Sequence, residues 1–266
     1  MNAIFFFAAG ILIGLAALHF HRKSTGRKLS DLRDEKIRLQ KEKEIVVDFM
    51  HNLAVAIGEG VARKDLYQRI VHTAVMTTGA MSACVYEKLE NGKLQGVATE
   101  GLFPPQRKMR TALSEETASR ARFLEKILSS EILEEGEGIV GEVAKTGKPV
   151  FVPNAQNDPR VVKHPDPALA IRSMVYSPLI HDEVVLGVLV VANPSSGLTF
   201  SDMDLSLVNS LAEQAALAIK NSDAMNLRVE KTRMDSDLSL AREVQGLFLA
   251  RKPPACKGLE MDARYL

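Results

Sequence analysis

The sequence has little cysteine and no excess of charge of either sign. Its two cysteines, Cys84 and Cys256, lie far apart and fit neither a C-x-x-C motif nor the spacing of zinc ligands. A disulfide framework and a structural metal site are therefore not indicated. The formal net charge is only +1 and no long basic block occurs, so the electrostatic signature of nucleic-acid binding is absent. We expect neither a nucleic-acid partner nor a metal ion bound by this chain.

Charged residues are also absent from Ala3 to Phe20. At about 1.5 Å per residue this run spans about 27 Å, which is enough for one transmembrane helix. A basic cluster follows it from Arg22 to Lys28, so the positive-inside rule places the rest of the chain in the cytoplasm. A cleaved signal peptide would carry its basic residues before the apolar run. The prediction is a single-pass anchor over residues 1–22 in the inner (cytoplasmic) membrane, with the N-terminus outside.

Patterns that favour pairing of two chains occur in three segments. Gly10 and Gly14 form a G-x-x-x-G motif, which lets two transmembrane backbones approach closely but also arises by chance in a Gly/Ala-rich span. Through the linker over residues 23–46, a seven-residue apolar repeat predicts either a short parallel coiled coil or a single charged helix that lies on its neighbour. The repeat consists of Leu32, Leu39, Val46 and Leu53. Near the C-terminus, Leu227 and Met234 begin a second repeat of the same spacing.

Proline and glycine are absent from Ser201 to Gln245. Ser201 can cap a helix N-terminus, and Asp202 and Asp204 suit the positive end of its dipole. The pattern therefore predicts one helix that closes the globular part and continues as an exit helix over residues 223–250. A helix of this kind could carry a shift or rotation from a sensor to an output.

Between these helical segments the hydrophobic pattern changes to period two. Met81 to Lys88 alternates, Asn91-Gly92 is a hairpin turn and Leu94 to Thr99 is the returning strand. Further strands are predicted at Pro149–Pro153, Arg172–His181 and Val184–Asn193, and helices at Leu66–Met76, Thr117–Ile132 and Ile139–Lys145. Strands in hairpins with helices between them predict an α+β fold around an antiparallel sheet.

Three glycines precede and open one of the predicted helices. Gly136, Gly138 and Gly141 could be taken for a phosphate cradle, but no G-K-S/T follows them and no strand directly precedes them. A glycine turn that opens a helix is the favoured interpretation.

Several short motifs follow one another in a characteristic order. They are GEGIVGEVAKTGKP from Gly136, NDPR from Asn157, RSMV from Arg172, SPL from Ser177 and GVLVVAN from Gly187. Together with the closing helix Leu205 to Asn221 they resemble a GAF domain over residues 47–222. The resemblance implies a GAF-like six-stranded antiparallel sheet with helices on both faces. It also implies that the first and last helices build a homodimer, and that the other face holds a pocket for a small-molecule ligand.

The resemblance also points to residues of the expected pocket, whose ligand is unknown. They are Asn157, Asp158, Arg160, His164, Arg172 and Met174. Asn193, Phe200 and Asp204 match part of an Asn-Lys-Phe-Asp-Glu signature of cyclic-nucleotide-binding members, but Pro194 and Leu205 replace the Lys and the Glu. The three matching residues equally suit a strand end, a buried aromatic ring and a helix start. Cys84, in an early apolar strand, is expected to be a small buried hydrophobe rather than a bilin attachment site.

The last thirty residues resemble a second family. The segment DLSLAREVQ from Asp237, then Pro253-Pro254 and GLEMDARY from Gly258, look like the start of the bacterial protein phosphatase 2C-like (PPM-type) serine phosphatases of the sporulation and stress-regulator class. Residues 251–266 would then be a truncated phosphatase start. The family binds Mn²⁺ or Mg²⁺ through aspartates of a Gly-Gly-Asp segment and later positions, none of which is present here, so we expect no catalytic residues in this chain.

These inferences combine into one functional hypothesis. The chain is predicted to be a membrane-anchored, cytoplasmic GAF sensory module that controls a serine/threonine phosphatase output acting on a phosphoprotein. The alternative is a GAF scaffold that dimerises and positions the output without binding a ligand.

Overall fold

The computed structural model describes residues 32–33, 35–108, 117–248 and 258. Its helices are α1 (35–58), α2 (Arg63–Thr78), α3 (Thr117–Ser130), α4 (Gly138–Thr146) and α5 (Asp202–Phe248), with a short 3₁₀ helix at Pro167–Leu169. Its strands are β1 (Ala80–Lys88), β2 (Leu94–Glu100), β3 (Ile132–Leu133), β4 (Val150–Val152), β5 (Met174–His181) and β6 (Val184–Pro194). The predicted anchor over residues 1–22 lies outside the described residues. Within the described part, no helix combines the length and apolarity needed to span a bilayer.

The six strands form one antiparallel sheet in the order β3-β2-β1-β6-β5-β4. The central strands β1 and β6 pair over most of their length, with Val85 opposite Leu189. The turn at Asn91-Gly92 joins β1 to β2 as predicted, and Gly92 has a φ of 80°, which suits glycine. The prediction of an α+β fold with a six-stranded antiparallel sheet is confirmed.

One face of the sheet is covered by α1, α2 and α5. Leu66 and Ile70 of α2 and Val208 and Leu211 of α5 are fully buried against the odd-numbered residues of the central strands, such as Val85. Alanines at 212, 215 and 216 let α5 approach β5 closely, because a methyl group adds little bulk. This layer forms the larger of the two hydrophobic cores.

The opposite face carries the second core, built by α4 and by long loops. Ile139, Val140 and Val143 of α4 pack here with the even-numbered residues of β1, β5 and β6. The alternation of side chains along each strand explains why neighbouring residues serve different cores. Helices thus lie on both faces, as expected.

The region after α3 differs from the sequence prediction. A helix was expected from Thr117 to Ile132, but α3 ends at Ser130 and Ile132 pairs with Gln95 of β2. Ile132 and Leu133 are too few to produce a period-two signal, so β3 escaped detection. The short strand brings Glu131 to the edge of the sheet, next to the second core.

The closing helix α5 is uninterrupted over 47 residues. At its start, the Ser201 amide donates to the Asp204 carboxylate at 2.7 Å and the Asp204 amide to Ser201 Oγ at 3.4 Å, a reciprocal cap. Its residues are buried in the domain at intervals as far as Ser222, whereas every side chain from Ala224 to Gly246 is exposed. The second half of α5 therefore projects from the domain, and we call residues 223–248 the exit helix.

The four residues of the first apolar repeat do not all have the same surroundings. Leu53 is buried in the domain core and Val46 packs against that core, while Leu32 and Leu39 are exposed. The C-terminal half of α1 therefore packs on neighbouring elements of the same chain. A coiled coil over the N-terminal half of α1 stays a prediction.

Candidate functional site

A cluster of polar side chains lies on the face of the sheet opposite α2 and α5. Cys84 and Tyr86 of β1 and Met174 and Tyr176 of β5 point to this face, because each pair is two residues apart on its strand. The segment 101–108, which follows β2, lies over them and brings Phe103 into the same core. We call this group, together with Gln106 and Glu131, the polar cluster.

Tyr86 is the central residue of the polar cluster. Its side chain is fully buried, and its ring meets that of Phe103 edge to face with the centroids 6.4 Å apart. By distance and angle its hydroxyl has no hydrogen-bond partner among the described residues, although the Cys84 thiol lies close enough to interact with it. Burial raises the pKa of Tyr86 well above its ordinary value, and the Cys84, Glu131 and Tyr176 groups add to this rise. These groups therefore lie close enough to act on one another electrostatically.

Tyr176 and Gln106 link the sheet to the overlying segment. The Tyr176 hydroxyl lies 3.2 Å from Gln106 Oε1 and 3.0 Å from Met174 Sδ, and it can donate to either. Gln106 Nε2 donates to the carbonyl oxygen of Pro104 at 3.0 Å. Burial raises the pKa of Tyr176, so the hydroxyl stays protonated at neutral pH.

Glu131 supplies the carboxyl group of the polar cluster. Only 7% of the residue is exposed, and its Oε2 accepts a hydrogen bond from the backbone amide of Gln106 at 3.3 Å. Burial raises the pKa of Glu131, although the hydrogen bond from Gln106 and the charge of Arg107 oppose that shift. The structure thus contains a nearly buried acid that lies close enough to Tyr86 and Cys84 for its charge to act on both.

Cys84, the thiol of the polar cluster, is fully buried. Burial raises its pKa well above the ordinary value, so the thiol is protonated at neutral pH and a poor nucleophile. This environment matches the expectation of a small buried hydrophobe.

Three of the expected pocket residues lie near the polar cluster. The Arg160 guanidinium bonds the Asp158 carboxylate, with Nη2 and Oδ2 2.7 Å apart, and reaches Glu142 of α4 at 2.9 Å. The hydrogen bonds from Arg160 hold the pKa of Asp158 below its ordinary value, and the charges of both residues act on Tyr176. Met174 contacts the Tyr176 hydroxyl directly.

The other expected pocket residues are spread more widely. His164 Nε2 lies 2.9 Å from the Pro105 carbonyl oxygen, and burial lowers the histidine pKa, so the neutral ring donates to that oxygen. The Asn157 amide closes a turn with the carbonyl oxygen of Asn154. Arg172 lies just before β5, where its guanidinium is 3.2 Å from the Pro194 carbonyl oxygen.

The three signature residues occupy structural positions in this chain. Asn193, which has a φ of 56°, accepts from the Arg172 amide at 2.7 Å and donates to the Ala170 carbonyl oxygen at 2.8 Å. Phe200 is buried in the larger core, and Asp204 completes the cap of α5. These contacts join the end of β6 to the entry of β5 and start the exit helix.

The glycine-rich segment forms the turn before α4. Gly136 and Gly138 have φ values of 86° and 60°. Gly141 lies within α4, and a Cβ there would come within 2.4 Å of the Glu134 carbonyl oxygen. The close approach of backbone to backbone explains this glycine without a bound phosphate.

Residues expected to pair two chains fall into two groups. Gly10 and Gly14 lie outside the described residues. Leu227 and Met234 are 66% and 57% exposed on the projecting half of α5. Closer to the domain, a groove of about 230 Å³ runs between α1 and α5 and is mainly apolar. It is lined by Met50, Leu53, Ala54, Ile57, Gln214, Leu217, Ala218 and Asn221.

Sequence reasoning missed Tyr86, Tyr176, Gln106 and Glu131. The signal for Tyr86 was available, since it shares the period-two face of Cys84 on a predicted strand. Gln106 and Glu131 carried no such signal, because they lie in irregular or edge segments. Among the described residues, no three His, Cys, Asp or Glu side chains come together in a way that could hold a metal ion.

Comparison with known proteins finds similar solved structures. Among solved structures, the chain is similar to the GAF domain of a phosphoenolpyruvate-protein phosphotransferase from Acinetobacter, at 21% identity over 67% of this chain and 94% of that one, with a TM-score of 0.49. It is also similar to the GAF domain of a phosphoenolpyruvate-protein phosphotransferase from Coxiella burnetii, at 17% identity over 68% and 96% of the two chains, with a TM-score of 0.49.

A third similar structure is the nlh2 GAF domain of A. aeolicus in an inactive state, at 13% identity over 67% and 98% of the chains, with a TM-score of 0.48. The family model described as a GAF domain matches residues 61–220, which is more than half of the chain. GAF domains are sensory or regulatory modules of signalling proteins. This chain belongs to the GAF domain family.

Proposed function

We propose that this chain is a membrane-anchored sensory module whose cytoplasmic GAF domain controls a serine/threonine phosphatase output. The observation that carries the proposal is the continuity of α5. The same helix is buried against β5 in its first half and projects from the domain in its second half. A displacement of the domain core would move the projecting half as one rigid body, since an uninterrupted helix transmits rotation and translation along its axis.

Strand β5 connects the polar cluster to α5. Met174 and Tyr176 face the polar cluster, whereas Val175 and Leu179 face α5 in the larger core. Ser177 Oγ donates to Asn209 Oδ1 of α5 at 2.5 Å. A ligand that shifts Tyr176 would therefore shift Ser177 and the helix bonded to it. A single strand, β5, would thus separate a ligand bound at the polar cluster from α5.

Ligand binding itself is tested by what the protein retains. The full chain would be purified from cells and analysed by native mass spectrometry, followed by thermal unfolding with a panel of metabolites. A retained small molecule or a ligand-dependent rise in melting temperature is expected. A bare protein mass with no shift across the panel would instead favour the alternative, a scaffold that dimerises and positions the output.

The module is proposed to work as a homodimer through α1 and α5. The apolar groove between these helices adjoins the exposed stripe of the exit helix, and the burial of both would favour association.

The test uses single cysteines in a Cys256→Ser background, in which Cys84 is buried. Disulfide crosslinks are expected at positions 227 and 234, which share one face of α5. Val229 and Ser236 lie on the opposite face and are the matched controls, so crosslinks of equal yield at all four positions would contradict the pairing.

The membrane anchor is proposed from the uncharged run and the basic cluster that follows it. Alkaline carbonate extraction of membranes should leave the full chain in the pellet and release a variant without residues 1–22. Release of the full chain under the same conditions would contradict the anchor.

The phosphatase output is proposed from the likeness of residues 237–266 to the start of a PPM-type domain. Such an output would use Mn²⁺ or Mg²⁺ held by residues other than those described here, and would act on a phosphoprotein. Hard divalent ions need several converging oxygen ligands. The direct check is the coding sequence after Leu266. A Gly-Gly-Asp segment shortly downstream supports the assignment, and a frame that continues without one contradicts it.

A further inference from the structure

The polar cluster offers mainly hydrogen-bond acceptors. It contains a carboxylate, two phenol oxygens, an amide oxygen and a thioether sulfur, which belong to Glu131, Tyr86, Tyr176, Gln106 and Met174. Among these residues and Cys84, the side-chain hydrogen-bond donors are the two phenols, the thiol and the side-chain amide of Gln106. That amide already donates to the Pro104 carbonyl oxygen. Acceptors therefore outnumber donors among these side chains, and the one carboxylate is held by the backbone amides of Gln106 and Arg107.

Two arginines near the cluster, Arg107 and Arg160, are already paired with carboxylates. The Arg107 guanidinium binds both carboxylate oxygens of Glu137, at 2.8 and 2.7 Å. Arg160 is held between Asp158 and Glu142, as described above. An anionic ligand such as a nucleotide would have to break one of these pairs to gain a counter-charge.

Gln106 occupies the position that a ligand donor would take. Its backbone amide reaches Glu131 at 3.3 Å, which is long for a bond to a carboxylate, and its side chain reaches Tyr176. Among the described residues, the segment 101–108 makes no backbone–backbone hydrogen bond. The segment is held by the buried side chains of Phe103, Pro104 and Pro105. Gln106 itself is only partly buried, so a ligand would displace this one residue and not the whole segment.

We propose that the ligand of this GAF domain is a small organic ammonium compound, which replaces Gln106 and binds between Glu131 and the Tyr86 hydroxyl. This inference rests on the proposed ligand-sensing function. The ammonium group donates to the Glu131 carboxylate and to Tyr86 Oη, a buried atom for which the described residues provide no hydrogen bond of normal geometry. The rings of Tyr86 and Phe103 add the aromatic surface that favours organic cations.

Cationic, neutral and anionic ligands of one shape should differ in their affinity for this site. A cation gains the Coulomb attraction of a carboxylate in a site of low dielectric constant. A neutral ligand of the same shape gains only hydrogen bonds and buried area. An anion meets the Glu131 charge with no free counter-charge from Arg107 or Arg160 and is repelled. The order of affinity should be cation, neutral compound, anion.

The experiment uses n-butylamine, n-butanol and n-butyrate as matched probes at millimolar concentration. Thermal unfolding of the full chain in detergent micelles is followed by circular dichroism. At ten times its Kd, n-butylamine should raise the melting temperature by about 4 °C, while the other two probes should shift it by less than about 1 °C. A shift with n-butyrate or n-butanol as large as that with n-butylamine would overturn the inference, and so would no shift with any of the three.

Three variants locate the effect. Glu131→Gln keeps the shape but removes the charge, and it should abolish the shift with n-butylamine. Tyr86→Phe keeps the ring and should weaken binding about tenfold. Glu134→Gln removes a carboxylate that pairs with Lys93 outside the polar cluster, and it should bind as the unaltered chain does. An unchanged shift in a folded Glu131→Gln protein places the amine elsewhere and overturns the inference.

The outcome is separable from that of the proposed function. If native mass spectrometry finds a retained neutral or anionic molecule and n-butylamine has no effect, the domain senses a ligand but the ammonium assignment is wrong. If no molecule is retained and neither the metabolite panel nor any probe binds, both proposals fail together.

Discussion

Arg63 and Asp223 form an ion pair that joins the start of α2 to the point where α5 leaves the domain. The same guanidinium pairs with Glu87 of β1 at 2.5 Å and lies over the ring of Tyr67 at 5.5 Å from its centroid. After Asp223, every described side chain of α5 as far as Gly246 is exposed. Arg63 is therefore the last described attachment of the exit helix to the sheet and to α2.

Replacing Asp223 with asparagine should loosen the base of the exit helix. Both side chains of the pair are partly exposed, 40% for Arg63 and 31% for Asp223, so solvent screens the attraction. We expect the free energy of unfolding to fall by about 1 kcal/mol or less. Amide exchange should nevertheless quicken around residues 219–227, where the helix loses its anchor. Urea unfolding and hydrogen exchange measured by mass spectrometry check the two effects.

The control for this variant is Lys64→Met. Lys64 and Glu125 form a more exposed pair, 73% and 55%, and are remote from the exit helix in sequence. Its loss should change neither stability nor exchange in α5. Equal effects of the two variants on residues 219–227 would show that Arg63–Asp223 has no special role.

Tyr86→Phe should stabilise the protein when no ligand is present. A buried hydroxyl without a partner costs free energy, and its removal should raise the free energy of unfolding by about 1 kcal/mol. Tyr176→Phe is the matched control, because that hydroxyl contacts Gln106 and Met174 and its loss should destabilise by about 1 kcal/mol. Urea unfolding distinguishes them by sign. A Tyr86→Phe protein less stable than the unaltered chain would mean that the hydroxyl has a partner.

The strands and the main helices could be predicted because their signals are local. Period-two alternation at Cys84 and Tyr86 and the Asn91-Gly92 turn define β1 and β2 without knowledge of the rest of the chain. The absence of proline and glycine after Ser201 predicted an unbroken α5. The capping residue Ser201 then located its start.

The polar cluster could not be predicted, because its members meet only in three dimensions. Glu131 belongs to a glutamate-rich stretch that is typical of a solvated loop, and its burial results from the pairing of β3 with β2 and from Gln106 above it. The asparagine at 193 shows the converse. Its match to a ligand signature is explained by bonds to Arg172 and Ala170 that hold two strands together.

Glu131→Gln should raise stability at neutral pH but not in acid. An acid whose pKa is higher in the folded than in the unfolded state costs no stability below the unfolded pKa, about 4.3 for glutamate. The cost grows as the pH rises through the folded pKa and is complete above it. Because burial raises the pKa of Glu131, the gain from removing the charge, followed from pH 4 to pH 8, should grow once the pH exceeds about 4.3 and then become constant. Urea unfolding of both proteins across this range gives the difference directly. A difference that is constant with pH would contradict the raised pKa.

Gly141→Ala should be among the most damaging small substitutions in the domain. The added methyl group would lie 2.4 Å from the Glu134 carbonyl oxygen and 2.8 Å from the Gly136 nitrogen, and both are backbone atoms that cannot move aside without opening the turn before α4. We expect a loss of about 3 kcal/mol in the free energy of unfolding. Gly58→Ala is the control, because Gly58 is also helical but has no atom near the position of the new methyl group. That variant should be neutral or more stable by up to about 1 kcal/mol, since alanine favours helix. Urea unfolding that gives both variants the same stability would mean that α4 does not pack against the turn as described.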